Sequence, residues 1–289
     1  MRRPADRGRC PRVTRRGREA ATPAAMLVAM LVGAWGPVAC TQPPSSPTAV
    51  FSLSVDSIPS PSVVAGDTMR DSTGVVAPLR GQAYNVSGHP LAAVTVRFIT
   101  LTPRQLTIDG ANHAIGAAGG DSVARVVADA QGLQSLPFTV PVVLRPDSIV
   151  HADTDSTTSL ALSLTHADSN VSVPLTIQLR HIPTVPGGDS LTRTYRMQFR
   201  ITYPVSAAGT GTFRDTTLFA YLVDANGNPA RADTTDASGQ AARRVRFQVG
   251  RVAPGTVDSV VVEASALYRV TPVPGSPVRF VIHYSSPHV

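Results

Sequence analysis

Lysine is absent from this 289-residue chain, so all 26 of its basic residues are arginine. Eight of these arginines lie within the first 18 residues, and the chain from residue 40 onward carries 18 arginines against 17 acidic residues. A nearly neutral body offers no electrostatic footprint for a phosphate backbone. We therefore expect no nucleic-acid partner, although the formal net charge of the whole chain is +7.

The residue types that most catalytic sites require are also scarce. A catalytic lysine is excluded, and Glu263 is the only glutamate after residue 40. The sequence holds no nucleophile elbow, zinc-protease motif, phosphate loop or dinucleotide fingerprint. We predict a protein that is not an enzyme, without catalytic residues, bound cofactor or metal ligands. An unrecognised enzyme remains the minor alternative.

The first 39 residues have the composition of a secretory signal peptide. A basic segment, 1–19, precedes an uncharged, mostly apolar run, 24–35, and small residues follow it. About 12 apolar residues are fewer than the roughly 20 that span a bilayer. A buried core helix and a twin-arginine signal at Arg15-Arg16 are the alternatives. We predict that residues 1–39 are removed on export.

Cys40 is the predicted lipidation site. The string Val38-Ala39-Cys40, followed by a segment rich in proline and serine, resembles a bacterial lipobox and its tether. In that family, diacylglycerol alkylates the sulfur of the cysteine, which becomes the first residue. Pro37 departs from the pattern, which usually has leucine there. The only other cysteine, Cys10, leaves with the signal, so an internal disulfide is excluded.

The lipobox resemblance implies an exported protein of the cell envelope, an outer-membrane lipoprotein whose partner is the membrane. Residues 40–49 then form a flexible, lipid-anchored tether, because proline, serine and threonine there offer no apolar face to bury. Plain secretion and a cytoplasmic location are the alternatives.

The remaining chain alternates apolar and polar residues. This period of two places one apolar row on one face of a strand. Glycine, proline and asparagine separate the alternating segments, as expected for turns. The pattern predicts an all-β fold of antiparallel sheets. The clearest segments are Leu160–Leu164, Val171–Leu179, Tyr195–Tyr203 and Val245–Val249.

Three short blocks recur in the same order along the chain. The second copy lacks a counterpart of the alternating strand Val94–Phe98, and we predict that Tyr195–Tyr203 replaces it. The Asn-Gly-Asn-Pro turn and the Val-x-Val-x-Phe strand resemble those of bacterial immunoglobulin-like domains of the invasin and intimin type. The paired blocks are 83–90 with 220–229, 129–132 with 236–239, and 147–150 with 258–261.

This resemblance implies two immunoglobulin-like antiparallel β-sandwich domains after the signal peptide and tether. We place the first at residues 50–182 and the second at residues 192–289. Proline and glycine cluster in the predicted linker, residues 183–191, so we expect the two domains to move as semi-independent units.

Three polar strings are weighed as candidate sites. Asp224–Asn228 reads as a hairpin turn or as part of a calcium loop. Gly188-Asp189-Ser190-Leu191 resembles the string of one esterase family, but a linker is the expectation there. His151–Asp155 is expected to be a polar loop without a metal or acid–base role.

The function predicted from these features is a non-enzymatic exported lipoprotein. Its immunoglobulin-like domains act as a cell-envelope spacer, or as adhesive or protein-binding modules, with an unidentified protein or glycan partner. The alternative is a carbohydrate-binding or hydrolase-associated module. Sugar stacking favours exposed aromatics, but the only tryptophan, Trp35, leaves with the signal, and Tyr195 and Tyr203 are expected in the core.

Overall fold

The computed structural model describes residues 49–152, 156–184, 186–188, 190–204 and 218–288. Within these ranges the chain forms strands and two short 3-10 turns, Ala167–Ser169 and Val249–Arg251, and no α-helix. The all-β prediction is confirmed. The strands are β1 (Ser52–Ser57), β2 (Val63–Val64), β3 (Arg80–Tyr84), β4 (Val96–Thr100), β5 (Leu106–Ile108), β6 (Ala114–Gly116), β7 (Ser122–Ala130), β8 (Gln134–Val143), β9 (Ser148–His151), β10 (Thr157–Ala161), β11 (Leu175–Arg180), β12 (Arg196–Tyr203), β13 (Ala220–Val223), β14 (Ala232–Thr234), β15 (Gln240–Phe247), β16 (Val257–Ser265), β17 (Leu267–Tyr268), β18 (Thr271–Pro272) and β19 (Val278–Ser285).

Strands β1 to β8 build the first sandwich. A four-stranded sheet has the order β2-β8-β7-β4, and the antiparallel pair β1-β3 packs against it. Every second residue of β7 from Ala124 to Ala130 is buried, because alternate side chains of a strand point to opposite faces. The core they enter includes Val63, Met69, Leu79, Leu106, Val126 and Val140.

Strands β9 to β19 build the second sandwich. A five-stranded sheet, β10-β19-β16-β12-β14, and a four-stranded sheet, β13-β15-β11-β9, contribute to one apolar core. The alternation seen in the sequence explains this core, since the apolar row of each strand points inward. Its fully buried members include Ile177, Leu179, Met197, Phe199, Val260 and Ile282.

The strand order of the second sandwich is that of an immunoglobulin fold. In chain order, strands β9, β11, β12, β13, β15, β16 and β19 take positions A to G. Strands A, B, E and D then form one sheet, and C, F and G the other, as in constant-type immunoglobulin domains. The immunoglobulin-like prediction for this part of the chain therefore follows from its topology.

The two sandwiches share one arrangement of four strands. The order β2-β8-β7-β4 in the first matches β10-β19-β16-β12 in the second, with a parallel edge pair followed by two antiparallel pairs in each. Strand β12 thus lies beside β16 as β4 lies beside β7. The prediction that Tyr195–Tyr203 replaces the Val94–Phe98 strand is confirmed.

The later sequence blocks do not mark equivalent positions. Asp129–Gly132 lies at the tip of the β7-β8 hairpin, whereas Asp236–Gly239 joins β14 to β15. Asp147–Val150 covers edge strand β9, whereas Asp258–Val261 lies inside β16. Short strings of aspartate and glycine favour several kinds of chain reversal, so their recurrence does not require equivalence.

The sheets divide the chain at a different place from the predicted linker. Strands β9, β10 and β11 precede residue 183, yet they belong to the sheets of the second sandwich. The segment after β11 leads to β12 in the other sheet of the same sandwich, and its two ends are tied together because the His181 N–H donates to the Ser190 carbonyl at 2.8 Å. The predicted linker at 183–191 is therefore a loop of the second sandwich, and residues 144–147 connect the two. Proline and glycine mark both loops and linkers, so composition did not distinguish them.

Candidate functional site

The first candidate site is the junction where the two sandwiches meet. Asp67 follows β2 in the first sandwich, and Arg269 lies at the tip of the β17-β18 hairpin in the second. Arg269 Nε donates to Asp67 Oδ2 at 2.9 Å. Arg70 donates from Nε to Oδ2 at 3.2 Å and from Nη2 to Oδ1 at 3.1 Å. The Asp67 side chain is only 5% exposed, so one buried carboxylate pairs with an arginine from each sandwich.

These arginines determine the charge state of Asp67. Burial alone would raise the pKa of this carboxyl, but hydrogen bonds from Arg70 and Arg269 outweigh burial and lower its pKa to about 2. Burial, followed by the charge of Asp67, raises the pKa of the neighbouring Tyr268 phenol. The Arg269 guanidinium carbon lies 5.3 Å from the centre of the Tyr268 ring, a cation–π distance.

Further polar contacts cross the junction away from Asp67. The Ser62 hydroxyl donates to the Thr194 carbonyl at 2.6 Å, and Arg196 Nη1 donates to the Pro59 carbonyl at 3.4 Å. An ion pair joins Arg193 Nη1 to Asp121 Oδ2 at 2.8 Å. By its contacts, the chain from Pro43 onward forms one compact unit. These contacts join the two sandwiches, whereas their movement as semi-independent units stays a prediction.

Gly74 allows the hairpin tip to approach the first sandwich. A Cβ atom at this position would lie 2.4 Å from the Val270 backbone nitrogen, and the Gly74 φ is +84°. Both the close approach and the positive φ require glycine. The hairpin tip is unusual on its own side too, because Arg269 and Val270 have φ values of 50° and 62°.

Five turns in the two sandwiches share one hydrogen-bonding pattern. In each, the side-chain oxygen of the first residue accepts from the backbone N–H groups two and four residues later, an Asx-type turn. The fourth residue has a positive φ and is glycine in every turn but the one with Asn112. The φ of Gly227 is +84° and that of Gly239 is +66°. The turns span 71–75, 85–89, 109–113, 224–228 and 236–240.

The calcium candidate, Asp224–Asn228, is one of these turns. Asp224 Oδ1 accepts from the backbone N–H groups of Asn226 at 2.9 Å and Asn228 at 2.8 Å. The Asn228 backbone bond is the main cause that lowers the Asp224 pKa. The residue types at this position are therefore explained by the turn. Within the described ranges, no three residues among His, Cys, Asp and Glu converge as a metal site would require.

The other two candidate strings, the esterase-like string and the polar loop, also contain residues with structural contacts. Leu191, at the end of the esterase-like string, forms a β-bridge with Arg180, which closes the loop of the second sandwich. Asp189 of that string and Asp153 to Asp155 of the polar loop lie outside the described residues. His151 ends β9, and its ring packs edge-on against Phe280 with centroids 4.7 Å apart.

The predicted signal peptide, Cys40 and the tether up to residue 48 lie outside the described residues. Cys40 lipidation and the membrane partner therefore stay predictions. In the part of the chain that the structure describes, no helix is long and apolar enough to cross a membrane.

The two tyrosines expected in the core take different positions. Tyr195 packs against the core of the second sandwich, and its hydroxyl donates to the Leu267 carbonyl at 2.6 Å. Tyr203 is 48% exposed, so its assignment to the core was wrong. The register of β12 against β16 shifts between Ile201 and Tyr203, and such a bulge interrupts the inward row.

Sequence reasoning missed the junction altogether. Asp67 and Arg269 are 202 positions apart, and neither belongs to a motif. Arg269 and Val270 form a turn between two short strands that contains neither glycine nor asparagine, so the usual sequence signal of a turn is missing there. Nothing in the sequence assigns that hairpin to the surface of the first sandwich.

Comparisons with known proteins found similar solved structures at low sequence identity. No protein-family model matches the sequence, and no curated protein matches it. Among solved structures, the adhesin InvE of Yersinia pseudotuberculosis is 15% identical over 71% of this chain and 52% of that one, with a TM-score of 0.31. Domains 4 and 5 of the S-layer protein SbsC are 14% identical over 82% of this chain and 98% of that one, with a TM-score of 0.28. The D00-D0 domain of intimin is 14% identical over 79% of this chain and 98% of that one, with a TM-score of 0.24.

The chain spans about half the length of the InvE structure that it matches. At these TM-scores the fold assignment rests on strand order. The topology of the second sandwich is what assigns it to the immunoglobulin fold.

Proposed function

We propose that this chain is a non-enzymatic exported lipoprotein of the cell envelope, anchored to the outer membrane through Cys40. Its two joined sandwiches act as a spacer that presents an adhesive or protein-binding surface away from the membrane. The signal-like residues 1–39 and the lipobox-like boundary support the export and the anchor.

The buried Asp67 pair is the observation that carries the spacer role. The chain enters the first sandwich through β1, at the end that also holds the β7-β8 hairpin, as the shared cluster of Val50 and Ala130 indicates. The second sandwich is joined at the opposite end, where Asp67 and Asp121 lie. A membrane anchor before β1 therefore places the first sandwich between the membrane and the second.

A spacer needs a stiff joint more than it needs a reactive pocket. Four polar contacts across the junction and the connection of four residues, 144–147, restrict bending between the sandwiches. Pro146 stiffens this connection further, because its ring fixes φ. The second sandwich would stand farthest from the membrane, so it is the part that would present the partner surface.

Replacing Cys40 with serine tests the anchor. We expect Cys40→Ser to abolish metabolic labelling of the protein with palmitate and to release it from the membrane fraction, because serine lacks the sulfur that is alkylated. Cys10→Ser is the matched control and should be labelled as the unchanged protein is. If Cys40→Ser is still labelled and partitions as before, the anchor is contradicted. An unchanged protein found only in the medium would favour plain secretion.

A further inference from the structure

Three segments of the first sandwich meet at the end where the chain enters it, and we call this end the entry pole. It consists of residues 49–53, 84–95 and 130–136. The Phe51 N–H donates to the Tyr84 carbonyl at 2.8 Å, which ties the first segment to the second. Val50, Ala83 and Ala130 form a buried apolar cluster beneath them, so all three segments end side by side.

The entry pole exposes apolar side chains. Phe51 is 43% exposed, Val86 is 44% exposed and Leu133 is 62% exposed. Each belongs to a different segment: the entry into β1, the turn after β3 and the β7-β8 hairpin. Val75, Val76 and Leu101 are exposed elsewhere in the first sandwich, so what distinguishes the pole is that its exposed apolar side chains lie in segments without charged residues.

The same segments carry no charge. None of their residues is aspartate, glutamate, lysine or arginine, and His89 is the only titratable side chain besides Tyr84. The opposite end of the first sandwich is charged, with Asp67, Arg70, Asp71 and Asp121. The nearest charges are Asp129, whose carboxylate accepts from the Gly132 N–H, and Arg97, which lies opposite Asp129 on β4. An exposed apolar end bordered by one such pair of opposite charges suits the boundary between lipid headgroups and acyl chains.

The length of chain before the pole limits its distance from the anchor. Ten residue steps separate Cys40 from Val50, and an extended chain spans at most about 3.5 Å per residue. The pole therefore lies within about 35 Å of a lipid attached at Cys40, and it is the end of the sandwich to which that segment leads.

We infer that the entry pole is a membrane-contact surface that rests on the leaflet holding the anchor, with Phe51, Val86 and Leu133 entering the headgroup boundary. This inference rests on the proposed lipid anchor. The anchor keeps the pole at high local concentration near the bilayer, so a contact too weak to hold the protein alone can still form. A protein partner is the less favoured occupant, because specific interfaces bury about 800 Å² per side and the pole exposes three large apolar side chains.

Tryptophan fluorescence provides the test, because the only tryptophan, Trp35, precedes Cys40. The lipidated protein is bound to phosphatidylcholine vesicles with and without brominated acyl chains. Leu133→Trp places the reporter on the pole, and Phe51→Trp repeats the measurement on a second segment. Val123→Trp is the control, since Val123 is 57% exposed and lies about seven residues along β7 from the pole, or roughly 23 Å.

We expect Leu133→Trp and Phe51→Trp to show blue-shifted emission on plain vesicles and to lose most of it on brominated ones. Val123→Trp should change little in either. Vesicle-bound protein whose pole reporters are unquenched, or quenched no more than Val123→Trp, would overturn the contact while leaving the anchor intact. Protein that fails to sediment with the vesicles would overturn the anchor, and the contact with it.

Discussion

Phe199→Ala is expected to reduce the free energy of unfolding of the second sandwich by about 3–5 kcal/mol, the usual range for a buried phenylalanine. Phe199 is 1% exposed and lies in β12, between Met197 and Ile201 of the same inward row. The truncation removes apolar area from the core and leaves a cavity that two packed sheets cannot close. Because single domains are stable by only about 5–15 kcal/mol, a large share of the second sandwich should be unfolded at moderate urea.

Tyr203→Ala is the matched control for this substitution. It removes an aromatic ring from the same strand, but Tyr203 is 48% exposed, so its loss should change the unfolding free energy by less than about 0.5 kcal/mol. Urea unfolding followed by circular dichroism measures both variants. Equal losses in the two would contradict the placement of Phe199 in a shared core and of Tyr203 outside it.

Asp67→Asn should weaken the junction, with a loss of about 2 kcal/mol from hydrogen bonds to charged groups. The amide keeps the shape of the side chain but loses the charge that pairs with Arg70 and Arg269. The loss stays moderate because the Arg269 side chain is 54% exposed and can be solvated by water. Asp168→Asn, at an exposed position in a 3-10 turn, is the charge-matched control and should leave stability unchanged.

The loss in Asp67→Asn should depend on pH in a defined direction. The folded-state pKa of Asp67, about 2, lies below its ordinary value of 3.8, so its pairing stabilises the folded protein above pH 4 to 5. That contribution disappears as the pH falls toward 2, because the carboxylate becomes protonated. The stability difference between the unchanged protein and Asp67→Asn should therefore shrink between pH 6 and pH 2. A difference that is constant or grows over this range would contradict the buried ion pair.

The strands could be predicted from the sequence because apolar and polar residues alternate within each strand, whatever its partner strands are. The replacement of the Val94–Phe98 strand by Tyr195–Tyr203 could be read for the same reason. The bulge before Tyr203 could not, since it depends on the register with β16. Local pattern therefore gives elements and faces, but not the interruptions that pairing imposes.

The division between the sandwiches and the junction depend on contacts between distant residues. Strands β9 to β11 belong to the second sandwich because of their partners β15 and β19, which lie far along the chain. Proline and glycine in residues 183–191 indicate a chain reversal but not which sheets it connects. The pairing of Asp67 with Arg269 likewise has no local signal. The entry pole was visible only once the fold had brought its three segments together.

The distance between the sandwiches tests the central claim, a stiff joint, most directly. Spin labels are attached to cysteines at Val123 and Val257, which are 57% and 79% exposed and lie in the first and second sandwich, in a background that carries both Cys10→Ser and Cys40→Ser. Pulsed electron paramagnetic resonance then gives the distribution of distances between the labels. The contacts of Asp67, Ser62 and Asp121 predict one narrow distribution in the otherwise unchanged protein. A broad or multimodal distribution would show that the sandwiches move independently and would contradict the spacer.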